Sequence, residues 1–394
     1  MIRKSVLAAC VAVALVATPA AAEPAPSAGT WLAGQFENGD HLLRGPGLLD
    51  HGLTADGVFA LAASGVGKST AVKAAAWLAQ PEQLTYFAGD GESESYVGGL
   101  VKLALVAQTL GTDPHEFAGV DLLARLSALQ EESGRYRDRT DPSFDQTNAF
   151  TQALAIIVLK RAGLPFDKAL AYQVSTRCPD GGFPISFGEP VCKSDVDGTA
   201  MVLQALLAAG EKKASADALT WLAAQQKADG GFPSATAGTN ANSTGLAVGA
   251  LVAGGRTDAA DKAVAYLKSL QIGCSGPEAQ RGAVAYDGGG FELYGAIRAT
   301  TQAMLGLARV SLADVTAASA TAGVPGSDCT PAPSSTVPST VPPSVPAPAG
   351  TAPVDPPLAA TGPDQAVPLT LFGSSAVLVG AVLLVAARRR KVGA

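Results

Sequence analysis

Residues 199–210 read TAMVLQALLAAG, an uncharged stretch that is rich in alanine and leucine and ends in glycine. The pattern returns at 244–255 as TGLAVGALVAGG and at 148–163 as NAFTQALAIIVLKRAG. Such a composition predicts a helix that is buried on most sides and stopped by a glycine in the left-handed conformation. Looser copies occupy residues 57–67, 96–111 and 299–309.

A more amphipathic segment follows most of these stretches. In 217–227, DALTWLAAQQK, the apolar residues Leu219, Leu222 and Ala223 recur at helical spacing beside charged and polar positions. Similar segments lie at 72–80, 120–130, 168–176 and 260–271. A buried helix that alternates with a half-exposed one, about six times at a period of 45 to 50 residues, predicts an all-α (α/α)6 toroid built from helix-hairpin repeats.

Three glycine-rich turns accompany the repeats, and they carry a family resemblance. Asp-Gly-Gly-Phe occurs at 180–183 and 229–232, and a longer variant, Asp-Gly-Gly-Gly-Phe, occurs at 287–291. An amphipathic helix, Gln225-Gln226 and then 229–232 together resemble the repeat shared by squalene and terpene cyclases, protein prenyltransferase β subunits and cobalamin carriers of the intrinsic factor type. The resemblance covers most of residues 45–310 and implies the toroid, whereas the same fold serves both enzymes and binding proteins.

Two aspartates precede the first quoted stretch, in SDVDGTA at 194–200. This motif is similar to the Asp-Val-Asp-Asp-Thr-Ala of class II terpene cyclases, which implies Asp197 as a proton donor with Asp195 as its neighbour. The third aspartate of that motif is replaced by Gly198. The alternative is that Asp197 caps the helix by accepting hydrogen bonds from the amides of Thr199 or Ala200.

The inner helices of a toroid begin around a common mouth, so their first polar residues should converge there. A concave site with polar groups over an apolar floor is the expected place for a ligand. We expect the aromatic residues of the last glycine-rich turn to form its rim. The candidate ligand-binding residues are Asp145, Gln146, Asn148, Asn242, Tyr286, Phe291, Tyr294 and Arg298, with Asp195 and Asp197 as candidate catalytic residues.

These residues support three hypotheses about function. The first is a surface module that binds a small molecule or a polymer segment at the mouth. The second is a cyclase-type enzyme that uses Asp197 as its acid. The third is a hydrolase or lyase that acts on surface glycans with Asp195 and Asp197, although two carboxylates so close in sequence need not have the separation that such chemistry requires.

Both ends of the chain carry targeting patterns. Residues 1–22 have the layout of a signal peptide, which predicts export. Residues 358–394 resemble a sortase sorting signal, with LAATG, an apolar span and a basic tail in order. The motif runs from Leu358 to Gly362, and the resemblance implies that a sortase cleaves it between Thr361 and Gly362. The protein would first be inserted in the membrane and then be attached to peptidoglycan. The alternative is an unprocessed anchor with a single membrane span. Residues 330–357, rich in Pro, Ser and Thr, predict a disordered stalk between this anchor and a toroid domain at 23–329.

The remaining composition limits the chemistry. Four cysteines remain after removal of the signal peptide and suit two disulfides in an exported protein. Of the three possible pairings we favour Cys178–Cys192, which are close in sequence, and this leaves Cys274–Cys329. No CxxC pair occurs, and the three histidines are dispersed, so we expect neither a metal nor a cofactor. A net charge of −6 argues against nucleic acid as a partner.

Overall fold

The computed structural model describes residues 23–326 and Cys329. The predicted signal peptide, stalk and sorting signal lie outside these residues. The described part is mostly helical, and its thirteen α-helices in chain order are α1 Pro24–Ala33, α2 His51–Ser64, α3 Lys68–Leu78, α4 Pro81–Ala88, α5 Val97–Leu110, α6 Leu122–Ser127, α7 Ala149–Ala162, α8 Asp167–Ser175, α9 Val196–Ala209, α10 Lys213–Gln225, α11 Ala241–Ala253, α12 Thr257–Leu270 and α13 Leu293–Leu307.

Six of these helices form a closed inner ring. In order around the ring they are α2, α5, α7, α9, α11 and α13; each packs against the next, and α13 packs against α2. Their side chains are buried almost throughout, as their alanine-rich composition predicts. Outer helices α1, α3, α6, α8, α10 and α12 pack against the outside of the ring. This arrangement is an α/α toroid.

Two short hairpins accompany the helices. Strand β1, Leu43–Gly45, pairs antiparallel with β2, Leu48–Leu49, and β3, Phe232–Pro233, pairs antiparallel with β4, Thr239–Asn240. Each hairpin precedes the start of an inner helix. Two 3₁₀ turns, Pro142–Phe144 and Glu278–Gln280, complete the regular structure of the described residues.

Glycine ends four of the inner helices, as predicted. Gly65, Gly111, Gly163 and Gly210 each follow an inner helix and adopt the left-handed conformation. A residue without a Cβ adopts this conformation at little cost, so the chain can reverse direction directly after the helix.

One hydrogen bond recurs between the inner helices and the loops that precede them. The Thr199 hydroxyl in α9 accepts from the Phe183 amide at 2.8 Å. Because the donor is in the loop and the acceptor is in the second turn of the helix, this bond fixes the loop against the helix start. The equivalent pairs are Leu42 with Thr54, Tyr136 with Gln152, Phe232 with Thr244 and Val284 with Thr300.

In the Asp-Gly-Gly-Phe turn at 229–232, the residues make different contacts. The Asp229 carboxylate accepts from the Gly231 amide at 2.9 Å, and Phe232 is fully buried. Gly230 has a φ of +90° and lies against α12, so that a Cβ there would be 2.4 Å from the Lys262 carbonyl oxygen. Gln226 then joins this turn to α12 by donating to the carbonyls of Gly230 and Ala259, both at 2.8 Å.

The third predicted copy of this turn was placed wrongly. In the last repeat Gly282 holds the position of Gly230, because its φ is +94° and a Cβ there would lie 2.4 Å from the Ser27 carbonyl oxygen. Val284 holds the position of the phenylalanine through its bond to Thr300. The segment 287–291 is instead a separate turn that leads into α13.

A segment after α13 crosses the ring at the ends of the inner helices. Arg161, at the end of α7, donates to the carbonyls of Leu312, Ala313 and Val315. In α9 the Gln204 side-chain oxygen accepts from the Leu312 amide at 2.8 Å. The chain therefore covers the end of the ring that lies opposite the helix starts.

Both predicted disulfides are confirmed. Cys178 is bonded to Cys192, and Cys274 is bonded to Cys329. The first closes a loop of the α8–α9 connection, and the second ties the chain beyond α13 to the α12–α13 connection. Among residues 23–326 and 329, no helix is long and apolar enough to span a bilayer.

We predict that Gly230→Ala destabilises the toroid. The new Cβ would meet the Lys262 carbonyl oxygen, and the left-handed backbone alone costs a residue other than glycine about 1–3 kcal/mol. Gly238→Ala in the same hairpin is the matched control, since no atom lies within 4 Å of a Cβ there. Thermal unfolding should show a lower melting temperature for Gly230→Ala alone; equal melting temperatures would contradict the proposed contact.

Candidate functional site at the helix starts

The second residue of each inner helix marks the open end of the ring. In helices α2, α5, α7, α9 and α11 this residue follows the first helical residue directly. Helix α13 has an extra turn before the residue that bonds to its loop, which is Thr300. In this helix Arg298, two residues before Thr300, therefore takes the equivalent position. These positions form what we call the mouth ring: Gly52, Gly98, Phe150, Asp197, Asn242 and Arg298.

Contacts between neighbouring helices show that these positions face the next helix of the ring. A Cβ at Gly52 of α2 would lie 3.6 Å from Lys102 Nζ of α5, and one at Gly98 of α5 would lie 3.6 Å from Thr151 Cγ2 of α7. The Arg298 guanidinium of α13 donates to Asp50 Oδ2 at 2.9 Å, just before α2. Gly52, Gly98 and Arg298 therefore each lie beside a residue of the next helix or of the segment that leads into it.

Asp195 is the N-cap of α9. Its carboxylate accepts from the Gly198 amide at 2.9 Å, and its backbone is extended, as an N-cap requires. The cap is thus Asp195, and the expectation that Asp197 caps this helix was wrong. Burial raises the pKa of Asp195, while the hydrogen bonds from the amides of Gly198 and Asp197 oppose that rise.

Among the described residues, no helix amide donates a hydrogen bond to the Asp197 side chain. Its Oδ1 atom is buried and has no hydrogen-bond partner among the described residues. Burial raises the pKa of this carboxyl to about 7; the Ser243 hydroxyl opposes the rise, and the charge of Asp195 adds to it. Near neutral pH the side chain is therefore a carboxylic acid in a substantial fraction of molecules, and it is able to donate a hydrogen bond or a proton.

Helix α11 repeats this arrangement. Asn240 is the N-cap and accepts from the Ser243 amide at 2.9 Å, so neither Asn242 nor Ser243 caps this helix. Asn242 is 9% exposed and Ser243 is 1% exposed. Asn242 Oδ1 has no hydrogen-bond partner within the part of the chain that the structure describes. The Ser243 hydroxyl lies close enough to the Asp197 carboxyl to lower its pKa, although no hydrogen bond of standard geometry joins them.

Asp197, Asn242 and Ser243 together form what we call the polar arc. A buried polar atom without a partner costs about 1–3 kcal/mol, so few are left in this state in folded proteins. Three such atoms lie on the two adjacent helices α9 and α11, close to where these helices begin. A water molecule can satisfy them when no ligand is present.

The opposite side of the mouth carries charges that are already paired. The Lys102 ammonium is 2.6 Å from Asp56 Oδ1 and also donates to the Gly52 carbonyl at 3.1 Å. Arg298 is paired with Asp50 in the same way. Since both have a carboxylate partner, neither Lys102 nor Arg298 is left as an unpaired cation.

Two predicted ligand residues, Asp145 and Asn148, have structural partners, and a third, Gln146, is exposed. Asp145 is paired with Arg135 at 2.8 Å and with Arg137 at 3.2 Å. Asn148 is the N-cap of α7 and forms a capping box with Thr151. Gln146 has an exposed side chain, and its backbone amide donates to Asp138 Oδ2 at 3.0 Å.

The predicted aromatic rim is only partly assembled. The Tyr286 carbonyl accepts from the Ala241 amide, and the charge of Asp197 adds to the effect of burial in raising the pKa of its phenol, so Tyr286 lies beside the polar arc. Phe291 instead packs edge-on against Trp31 of α1, with 6.2 Å between ring centres. Tyr294 is half-buried in the extra first turn of α13, where its amide donates to the Glu292 cap.

Sequence reasoning missed several buried polar residues near the helix starts. Lys102 was hidden inside an apolar run, and Asp138 caps α5 from a distant loop by accepting from the Val97 amide at 2.7 Å. Burial raises the pKa of Asp138 to about 6. Ser243 lies beside Asp197, a contact between two helices that no local sequence pattern indicates.

A cavity of about 360 Å³ opens beside the start of α9. It lies between the loop that the Cys178–Cys192 disulfide closes and the β3–β4 hairpin, with Asp195 on its wall. No sequence pattern predicted this cavity. Within the described residues, no group of three or more His, Cys, Asp or Glu side chains is arranged to hold a metal ion.

Comparisons with known proteins support the fold. No family model and no curated protein matches this chain. Among solved structures it is similar to a protein from Actinoplanes (17% identity, 72% of this chain and 98% of the other, TM-score 0.52). It is also similar to the type II terpene cyclase MstE from Scytonema (14% identity, 74% and 97%, TM-score 0.53) and to an alpha-amylase from Clostridium perfringens (12% identity, 74% and 99%, TM-score 0.51). At these identities the chain shares their fold, and the likeness does not assign an activity.

We predict that Asp197 makes the stability of the toroid depend on pH. A carboxyl whose pKa rises on folding holds its proton more tightly in the folded state, so stability falls as the pH increases from the ordinary value of 3.8 to about 7. Asp197→Asn cannot ionise and should lose less stability over this range. The measurement is the melting temperature of both proteins at several pH values.

Asp258→Asn is the matched control for this experiment. Asp258 is the second residue of outer helix α12, and its side chain is exposed. The difference in melting temperature from the unmodified chain should change with pH for Asp197→Asn and stay constant for Asp258→Asn. Parallel curves for all three proteins would show that Asp197 is not a buried acid.

Proposed function

We propose that this chain is an exported surface protein whose toroid binds a small molecule or a polymer segment at the mouth. The observation that carries the proposal is the polar arc, in which three buried atoms, Asp197 Oδ1, Asn242 Oδ1 and Ser243 Oγ, have no hydrogen bond of standard geometry in the described structure. Binding sites combine a concave surface with a few polar groups, and the polar arc supplies such groups at the open end of the ring.

The chemistry of the arc favours a neutral hydrogen-bonding group. In its protonated form Asp197 donates, Asn242 Oδ1 accepts, and the Ser243 hydroxyl does either. An anionic ligand would meet a carboxyl here, and the cations across the mouth are already paired with Asp50 and Asp56. A hydroxyl, amide or ether group would satisfy the arc without bringing an unpaired charge into a buried site.

The surface location rests on the order of the terminal signals. The signal-peptide layout, the proline-rich stalk, LAATG, the apolar span and the basic tail follow one another as cell-wall anchoring requires. Sortase and peptidoglycan are the partners that this proposal implies, with the membrane as an intermediate location before cleavage.

A second candidate function is acid catalysis by Asp197. The observation that favours it is a carboxyl with a pKa of about 7 at the place where the cyclase motif has its proton donor. Asp195 is occupied as a helix cap, so a mechanism that needs two free carboxylates has no second acid from this pair. Product formation from a geranylgeranyl substrate, abolished by Asp197→Asn, would favour catalysis over binding.

We predict that the polar arc determines ligand affinity. Mass spectrometry of the chain purified from its own cells should identify a bound molecule, and titration calorimetry should then measure its affinity. Asn242→Ala and Asp197→Asn should each weaken binding about tenfold or more, because one unmet buried hydrogen bond costs about 1–3 kcal/mol. Asp258→Asn should bind normally, whereas equal affinities for all four proteins would move the site away from the mouth.

We also predict that Thr361→Ala changes where the protein is held. Cells that express the unmodified chain together with a sortase should retain it in the lysozyme-released wall fraction. The variant should remain with the membrane, because the enzyme cannot form its acyl bond at this position. Recovery of both proteins in the same fraction would contradict the wall anchor.

A further inference from the structure

Residues 308–326, which we call the closing strap, are bonded to one element of the ring after another. Three of the strap's amides donate to the ring, in chain order Leu312 to α9, Ala317 to α5 and Thr321 to the α2–α3 turn, at 2.8, 2.8 and 2.9 Å. These bonds lie in series along the strap. A pull on its C-terminal end would therefore load the bond of Thr321 first and that of Leu312 last.

The C-terminal part of the closing strap is also its most weakly packed part. Residues 321–326 are all exposed, whereas Leu312, Val315 and Ala317 are buried against the ring. Three amides of the α2–α3 turn donate to carbonyls of residues 321–323 at 2.9–3.0 Å. Segments that are held by exposed backbone hydrogen bonds and few apolar contacts open at low free energy. This end of the strap is therefore where opening would begin.

The second disulfide provides a route around the closing strap. Cys329 follows the strap in the chain and is bonded to Cys274, 55 residues earlier. Cys274 lies in the connection between α12 and α13. A pull on the chain beyond Cys329 thus reaches this connection through the disulfide and does not pass along the strap.

The connection that receives the disulfide is bonded firmly to the toroid. The amide of Ile272 donates to the Ala283 carbonyl, and its carbonyl accepts from the Gly282 amide, both at 2.8 Å. The loop bond to Thr300 joins the same connection to inner helix α13. The indole of Trp31 in α1 donates to a carbonyl of the connection at 2.9 Å. A force that enters here is shared between two helices.

We propose that the Cys274–Cys329 disulfide is a mechanical clamp that keeps the closing strap in place when the chain beyond Cys329 is pulled. The inference goes beyond the proposed function and rests on it only for the source of the pull, which is the proposed surface anchor. With the disulfide intact, the closed end of the ring stays covered under load. Without it, the strap opens before the ring does.

A disulfide that only stabilised the folded state would act differently. It would restrict the unfolded chain, and loss of either disulfide would lower the melting temperature without changing the order in which the parts of the toroid open. The clamp instead predicts that one disulfide determines that order and the other does not.

The test is single-molecule force spectroscopy of the full chain, held by DNA handles at its two ends. The Cys274→Ser/Cys329→Ser double variant should show one extra step at low force, which releases roughly 65 Å of chain at about 3.3–3.6 Å per residue. The unmodified chain should lack this step. The same step in the unmodified chain, or no extra step in the variant, would overturn the inference.

Cys178→Ser/Cys192→Ser is the matched control, because it removes the disulfide of the α8–α9 connection and leaves the clamp intact. This variant should open without the early step. If it shows the same step, the step reports a general loss of stability, and the clamp is wrong.

A further variant tests the closing strap with both disulfides present. Val324 is exposed, so Val324→p-azidophenylalanine provides an attachment point on the strap itself. Pulling at this residue bypasses the disulfide, and the early step should return. If it does not, the strap is not the weakest element under load and the inference is wrong.

Two combinations of results separate this inference from the proposed anchor. If Thr361→Ala leaves the location of the protein unchanged while the early step appears as described, the anchor is wrong and the clamp stands. If the wall anchor is confirmed and the double variant has no early step, the clamp is wrong and the anchor stands.

Discussion

The hydrogen bond between a loop amide and a side chain in the second turn of an inner helix determines the rest of this structure. The bond from Phe183 to Thr199, at 2.8 Å, holds the connection from the outer helix against α9. Its equivalents in four other repeats set where each inner helix stands relative to its loop. Residues two positions before the acceptor then share one level of the ring. Because these residues share one level, side chains from distant parts of the sequence meet at the mouth.

The alternation of helices and both disulfides could be predicted from the sequence because each rests on a local pattern. Uncharged, glycine-ended stretches such as 199–210 identify the inner helices, and the short spacing of Cys178 and Cys192 suggests their pairing. Burial and capping are short-range consequences of such patterns. Tertiary contacts then decide only the exact ends of the helices.

The helix caps and the last glycine-rich turn could not be predicted, because several residues of similar chemistry compete for each position. Asp195 and Asp197 are both good caps, and only the extended backbone at Asp195 settles the choice. The same two-residue uncertainty separated Asn240 from Asn242. In the last repeat, Gly282 and Val284 form the equivalent turn although the sequence there is not Asp-Gly-Gly-Phe. Gly282 lies against the carbonyl oxygen of Ser27 in α1, which is far away in the sequence. Placing each cap two residues earlier changes Asp197 and Asn242 from structural residues into residues that face the mouth.

The central claim is that the polar arc is a binding surface rather than a group of helix caps. A crystal structure of the full chain, at a resolution that shows ordered water, tests it most directly. We expect Asp197 Oδ1, Asn242 Oδ1 and Ser243 Oγ each to lie about 3 Å from a bound molecule or from water in the mouth. The opposite result, in which all three atoms are bonded to the amides of their own helices and nothing occupies the mouth, would contradict the account.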